Sequence, residues 1–128
     1  MSRILVVEDN PANQLLASAV LERDGFVVDV ADSAHDAMRA VGRNLPDLIL
    51  MDIQLPEMDG LALTRQLKAD PATASIKVVA MTAHAMVGDK EEALAAGCAG
   101  YISKPIDTRT LGEQVREFLQ AQPAEAGI

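Results

Sequence analysis

Five polar residues stand at the ends of short apolar runs. Glu8 and Asp9 follow Ile4-Leu5-Val6-Val7, and Asp52 follows Leu48-Ile49-Leu50-Met51. Thr82 follows Val78-Val79-Ala80-Met81, and Lys104 follows Tyr101-Ile102-Ser103 and precedes Pro105. Close carboxylates repel and raise one another's pKa unless a cation relieves them. Mg2+ does so with oxygen ligands, using one or two carboxylates together with waters and phosphate oxygens. A carboxylate is also a nucleophile able to form an aspartyl-phosphate. A lysine pairs with a phosphoryl group as a point charge, and a threonine hydroxyl donates to a phosphoryl oxygen. Brought together, these residues suit a divalent cation and a phosphoryl group.

The elements that must bring them together alternate along the chain. Strand patterns cover about Arg3 to Glu8, Val27 to Ala31, Leu48 to Asp52, Lys77 to Met81 and Gly100 to Ser103. The third is nearly all apolar, as a central parallel strand covered on both faces should be. Between them lie helical stretches. The first opens at Pro11 behind the cap Asn10 and runs to about Asp24, where Gly25 stops it. The second follows a cap at Asp32 or Ser33, with Ala34, Ala37, Met38 and Val41 at helical spacing. The third follows the turn-rich loop from Leu55 to Gly60 and runs through Leu63 and Leu67 to about Ala69. The fourth spans Val87 to Ala96 with a weak apolar stripe and closes at Gly97. The fifth is capped by Asp107 or Thr108 and carries Leu111, Val115, Phe118 and Leu119 on one face. Regular alternation of this kind implies an α/β fold with a parallel sheet and helices on both faces. In such a sheet ligands bind in the crevice outside the C-terminal strand ends, where all five polar residues fall.

A chain of 128 residues, 49% hydrophobic and 23% charged, is expected to form one ordinary globular domain. Aromatics are only 2%, so aliphatic side chains must fill the core. Lys and Arg number 11 against 19 Asp and Glu, a net charge of −8. That balance argues against nucleic-acid binding, which needs a basic face. No apolar run approaches the roughly 18 residues needed to cross a membrane, and the first strand leaves no room for a signal peptide. The single Cys98 cannot form an internal disulfide, which fits a reducing cytoplasm, and reads as a small packed residue.

Glu8-Asp9, Met51-Asp52, Leu55-Pro56-Glu57-Met58-Asp59-Gly60, Met81-Thr82-Ala83 and Tyr101-Ile102-Ser103-Lys104-Pro105 together resemble the receiver domain of two-component response regulators. The resemblance covers about Arg3 to Leu119. It implies a flavodoxin-like, doubly wound (βα)5 fold with strand order 2-1-3-4-5 and a receiver domain over 1–120, while the residues 121–128 themselves read as a disordered tail. By the same likeness Asp52 is the phosphoacceptor, Asp9 a metal ligand, Glu8 the holder of a metal-bound water, and the Gln54 backbone carbonyl a further ligand. Thr82 and Lys104 contact the phosphoryl group, and Thr82 and Tyr101 form the switch. The Lys104-Pro105 bond is expected to be cis. The implied cofactor is Mg2+, with Mn2+ able to substitute. The implied partners are a histidine kinase or histidine phosphotransferase and a downstream protein docking on the fourth helix, fifth strand and fifth helix, with the chain a monomer or weak dimer.

The finer likeness is carried by Met51-Asp52-Ile53-Gln54-Leu55-Pro56 and Thr82-Ala83-His84-Ala85-Met86. It is to stand-alone receivers of the DivK type and to receivers fused to hybrid histidine kinases. A chain that starts at Met1 beside the first strand and ends soon after the last helix favours the stand-alone type. An excised hybrid-kinase receiver, acting as a phosphorelay intermediate, is the alternative. Neither is a turnover enzyme. A phosphatase of the haloacid-dehalogenase type places a second Asp two residues after its nucleophile, where this chain has Gln54. A flavodoxin-like nucleotide binder needs a phosphate cradle, and the acidic Glu8-Asp9-Asn10-Pro11 turn has no glycine. His84 reads as a pocket-rim residue and His35 as solvent-facing.

Overall fold

The computed structural model describes residues 2–53, 55, 59–82 and 87–120, with the side chains of 87–90 undescribed. The expected tail over 121–128 lies outside these residues, as do Gln54, His84 and Met86. The chain order is β1 (Arg3–Val7), α1 (Pro11–Arg23), β2 (Val27–Ala31), α2 (Ala34–Arg43), β3 (Leu48–Asp52), α3 (Gly60–Ala69), β4 (Lys77–Thr82), α4 (Val87–Ala96), β5 (Gly100–Ser103) and α5 (Leu111–Gln120). The strands form one sheet in the order β2-β1-β3-β4-β5, every pair parallel. This is the doubly wound order that the resemblance implied.

Side chains alternate across each strand. Leu5, Val7, Ile49, Met51, Val78 and Ala80 therefore face one layer, where α2, α3 and α4 contribute Ala37, Leu63, Leu67 and Ala93. Ile4, Val6, Leu48, Leu50, Val79 and Met81 face the other, against Ala17 and Leu21 of α1 and Leu111 and Val115 of α5. All five residues of β3 are buried, because both layers cover it. Each fully buried leucine contributes about 1.5–3 kcal/mol of transfer free energy. The consequence for function is a stiff central strand whose last residue is Asp52.

The helix boundaries follow local chemistry. Asn10 caps α1, its side chain accepting from Ala12 N and Asn13 N. The helix ends one residue earlier than expected, at Arg23, and Gly25 turns the chain with φ +94°. Ser33, rather than Asp32, caps α2 by accepting from Asp36 N. Ala34, Ala37, Ala40 and Val41 are the buried stripe of α2, whereas Met38 is exposed. Small alanines let this helix sit close on the sheet, and the longer methionine is left at the rim. Asp107 opens the turn before α5, its carboxylate accepting from Arg109 N and its carbonyl from Leu111 N. β1 closes at Val7 rather than Glu8, and β4 extends to Thr82.

The layers are also fastened by long cations. Lys77 Nζ donates to the Phe118 and Leu119 carbonyls at 2.8 and 3.0 Å, satisfying C-terminal acceptors of α5. Arg23 donates to Thr108 O, Arg116 donates to Asp24 O, and the Arg116 guanidinium lies 5.4 Å from the Phe26 ring centre. Helix α5 is thus tied at both ends. Among its described side chains helix α4 buries Ala93 and Ala96 and leaves Leu94 46% exposed. Cys98 is buried beside Thr64, and burial pushes its thiol pKa up, as expected of a packed, unreactive residue. His35 is exposed.

Candidate functional site

At the C-terminal edge of the sheet Val7 pairs with Met51, Asp52 with Met81, and Thr82 with Ser103. Parallel register therefore delivers Glu8, Asp52, Thr82 and Lys104 to one rim. Glu8 continues the ladder through its N–H, which donates to Ala31 O at 2.9 Å. Its side chain turns inward and is only 1% exposed. One carboxylate oxygen accepts from Asn10 N at 3.2 Å, and the other accepts from Lys104 Nζ at 2.5 Å. The same ammonium donates to Asp52 Oδ2 at 3.1 Å. Asp52 is 5% exposed, so this lysine bridges two nearly buried acids.

Lys104 reaches them because its own N–H donates to Thr82 O at 2.7 Å, which holds the residue over the end of β4. The following peptide bond to Pro105 is cis, as expected. Thr82 is buried at that strand end. Tyr101 stands half-buried on β5 opposite Ala80, packed against the layer that contains α4. Asp9 is exposed at the mouth, beside the two buried acids.

Burial drives the Glu8 pKa above the ordinary carboxylate value. The Lys104 bond opposes that rise and the neighbouring Asp52 carboxylate adds to it. Burial alone would lower the Lys104 pKa, but its bonds to Glu8 and Asp52 outweigh this and hold it above the ordinary lysine value. The ammonium is therefore the firm charge of the pair. It is one positive charge facing three carboxylates.

Carboxylate oxygens of Glu8, Asp9 and Asp52 lie within 4.8 Å of one another. The donor set is all oxygen, anionic, and graded from buried to open, which fits a hard divalent cation such as Mg2+ or Mn2+. Glu8, Asp9 and Asp52 are the residues that would hold it. The expected Gln54 carbonyl lies outside the described residues. Replacing Asp9 by Asn removes the most accessible anionic ligand, and Mg2+ affinity should fall by more than the roughly 10–100-fold typical of outer-shell changes. Titration calorimetry with MgCl2 checks this. Equal affinity in wild type and Asp9→Asn would refute the assignment of Asp9.

Two contacts around the site escaped the reading of the sequence. Gln14 Nε2 donates to the Glu8 backbone carbonyl at 2.5 Å. The signal for it is weak: helical side chains lean toward the N-terminus, so a long amide in the first turns can reach back over the preceding loop. Gly60 belongs to the Leu55–Gly60 motif, but its contact with β3 has no signal in the spacing. It lies so close to the end of β3 that a Cβ there would meet Asp52 O at 2.4 Å.

Comparison with known proteins agrees with this geometry. The family model described as response regulator receiver domain matches residues 4–116. The polar-differentiation response regulator DivK of Brucella ovis is 41% identical over 116 residues, covering 91% of this chain and 94% of that protein. Among solved structures, a putative response regulator from Chloroflexus aurantiacus superposes with a TM-score of 0.88 at 28% identity, covering 94% of this chain and 98% of that one. The receiver domain of sensor histidine kinase PA1611 from Pseudomonas aeruginosa, solved with a magnesium ion coordinated in its active-site cleft, superposes at 0.84 with 35% identity over 94% of this chain and 98% of that one. An acid cluster bridged by a lysine on this sheet order, together with a family match over nearly the whole described chain, places the protein in the response regulator receiver domain family.

Proposed function

We propose that this chain is a phosphorylation-controlled signalling module that accepts a phosphoryl group on Asp52 from a phosphohistidine of a histidine kinase or histidine phosphotransferase. The supporting observation is the seat of Asp52: nearly buried, bonded to Lys104 and flanked by Glu8 and Asp9. A carboxylate oxygen of Asp52 attacks phosphorus, the phosphorus–nitrogen bond breaks with its electron pair going to nitrogen, and the histidine leaves as neutral imidazole because its other ring nitrogen already carries a proton. Lys104 stabilises the charge on the transferred group. The Thr82 hydroxyl serves as a donor to a phosphoryl oxygen. When bound, Mg2+, or Mn2+ in its place, supplies charge neutralisation for the acids and the phosphoryl oxygens. The chain turns over no other substrate in this reading.

The output face we infer is α4, β5 and α5, read by a protein partner. Its parts differ in anchorage. Lys77, Arg23 and Arg116 tie α5 down, whereas α4 is held by two alanines among its described side chains. Drawing the Thr82 hydroxyl toward a phosphoryl oxygen and re-packing Tyr101 would then bias α4, the weakly held element that a switch requires. Beryllofluoride with Mg2+, a phosphoryl mimic, should shift backbone amides of α4 and β5 strongly and those of α5 less. Shifts confined to the acid pocket, α1 and α2 would count against a conformational output and leave a relay.

The relatives support two settings. The DivK likeness favours a stand-alone cytoplasmic regulator, and a single buried free thiol suits a reducing compartment. Among the described residues no helix is long and apolar enough to cross a membrane. The 35% identity to a kinase receiver supports the second setting, a phosphorelay intermediate. Rapid passage of the phosphoryl group from Asp52 to a histidine phosphotransferase would favour that one.

A further inference from the structure

We propose that Gln14 is a positioning residue for cation capture, acting by clamping the peptide unit that joins Glu8 to Asp9. This rests on the reading that the acid cluster takes a divalent cation. Among the described residues the Asp9 side chain has no hydrogen-bonded partner, so the backbone sets where its Cα–Cβ bond starts and which staggered rotamers bring its carboxylate to the other acids. The plane that leads into Asp9 is the Glu8–Asp9 peptide unit, which is rigid and carries the Glu8 carbonyl at one side. That carbonyl accepts the Gln14 amide at 2.5 Å.

The rest of the loop is fixed on either side of this point. The Glu8 N–H is bonded to Ala31 O, and the Asn10 N–H donates to Glu8 Oε2. The Asn10 side chain is spent on capping α1. Gln14 therefore supplies the one described restraint on the carbonyl between the two acids. It stands on α1, a regular helix capped at its start, so the donor itself is held by a rigid element. Partners that orient ligands in this way matter to metal sites because they fix ligand geometry before the ion arrives.

Two variants separate geometry from charge. Gln14→Leu removes the donor and keeps the bulk, and leucine suits a helix as well as glutamine does. Gln14→Glu also removes the donor but adds a negative charge near the acids, which by itself would tighten cation binding. Both should weaken Mg2+ binding by roughly tenfold in titration calorimetry. In the metal-free state both should also speed hydrogen exchange several-fold at the Asn10 amide, whose N–H is held by Glu8 Oε2, with thermal melts confirming a folded chain. Tighter binding by Gln14→Glu with unchanged binding by Gln14→Leu overturns the proposal, as does unchanged exchange at Asn10. If wild type itself takes up no Mg2+, the reading of the pocket fails along with this role. If wild type binds and both variants bind equally well, only the role of Gln14 fails.

Discussion

Asp52→Asn should abolish phosphorylation while leaving the fold intact. Intact-mass analysis after incubation with acetyl phosphate and Mg2+ should find one added phosphoryl group in wild type and none in the variant. An amide is a poor nucleophile, and no other carboxylate shares the position of Asp52. Glu8 is deeper and held by both Asn10 N and Lys104 Nζ, and Asp9 is exposed at the mouth. The substitution keeps side-chain volume, so the tightly packed end of β3 is undisturbed. Lys104 keeps Glu8 as its partner. Removing one of three neighbouring carboxylates also relieves repulsion in the metal-free protein. Urea unfolding should therefore show the variant within about 1 kcal/mol of wild type or above it. A phosphoryl group that survives the substitution would move the acceptor elsewhere. A variant that fails to fold would show that Asp52 is needed for structure as well.

The separation of roles at this rim explains which parts were legible in the sequence. Strand ends are easy to read because buried parallel strands are continuous apolar runs, and Glu8, Asp52, Thr82 and Lys104 each interrupt or end one. Helix starts were legible where a side chain supplies the missing acceptor, as at Asn10. Asp32 and Ser33 are both competent caps, and only the backbone path selects Ser33. Met38 fits a helical stripe by spacing, yet the stripe rotates toward Ala40 because small residues permit the closer approach to the sheet. The bridging of Glu8 and Asp52 by Lys104 spans 96 and 52 positions of sequence, and no local pattern encodes a bond of that reach. The Gln14 clamp and the Gly60 contact depend on side-chain reach and backbone proximity, which periodicity does not record.

Gly60→Ala should be among the most damaging small substitutions in the chain, and the opposite result is expected from the same change at Gly42. Helix propensity favours alanine over glycine by about 1 kcal/mol at an exposed interior position. Gly42, in the last turn of α2, has nothing within 4 Å of an added Cβ, so propensity decides there and Gly42→Ala should stabilise. Gly60 is the first residue of α3. A Cβ there would lie 2.4 Å from Asp52 O and 2.8 Å from Ile53 Cα. Both are backbone atoms, so no rotamer change relieves the overlap. Gly60 N also donates to Ile53 O at 3.1 Å, and Asp59 caps the helix by accepting from Leu61 N. The helix start is thus bonded to the segment it would have to leave. Overpacking of this kind costs about 1–3 kcal/mol, occasionally more, and exceeds the propensity gain. The displaced partner is the backbone of Asp52, so the acceptor carboxylate should shift against Lys104 and the other acids. Misplacement of reacting groups by about 1 Å can cost on the order of 100-fold in rate. Urea unfolding should give Gly60→Ala a loss of about 2 kcal/mol and Gly42→Ala a small gain. Phosphorylation by acetyl phosphate should slow only in the former. Equal stability changes of the same sign at the two glycines would show that the approach of α3 to the acceptor strand is not as close as the structure has it.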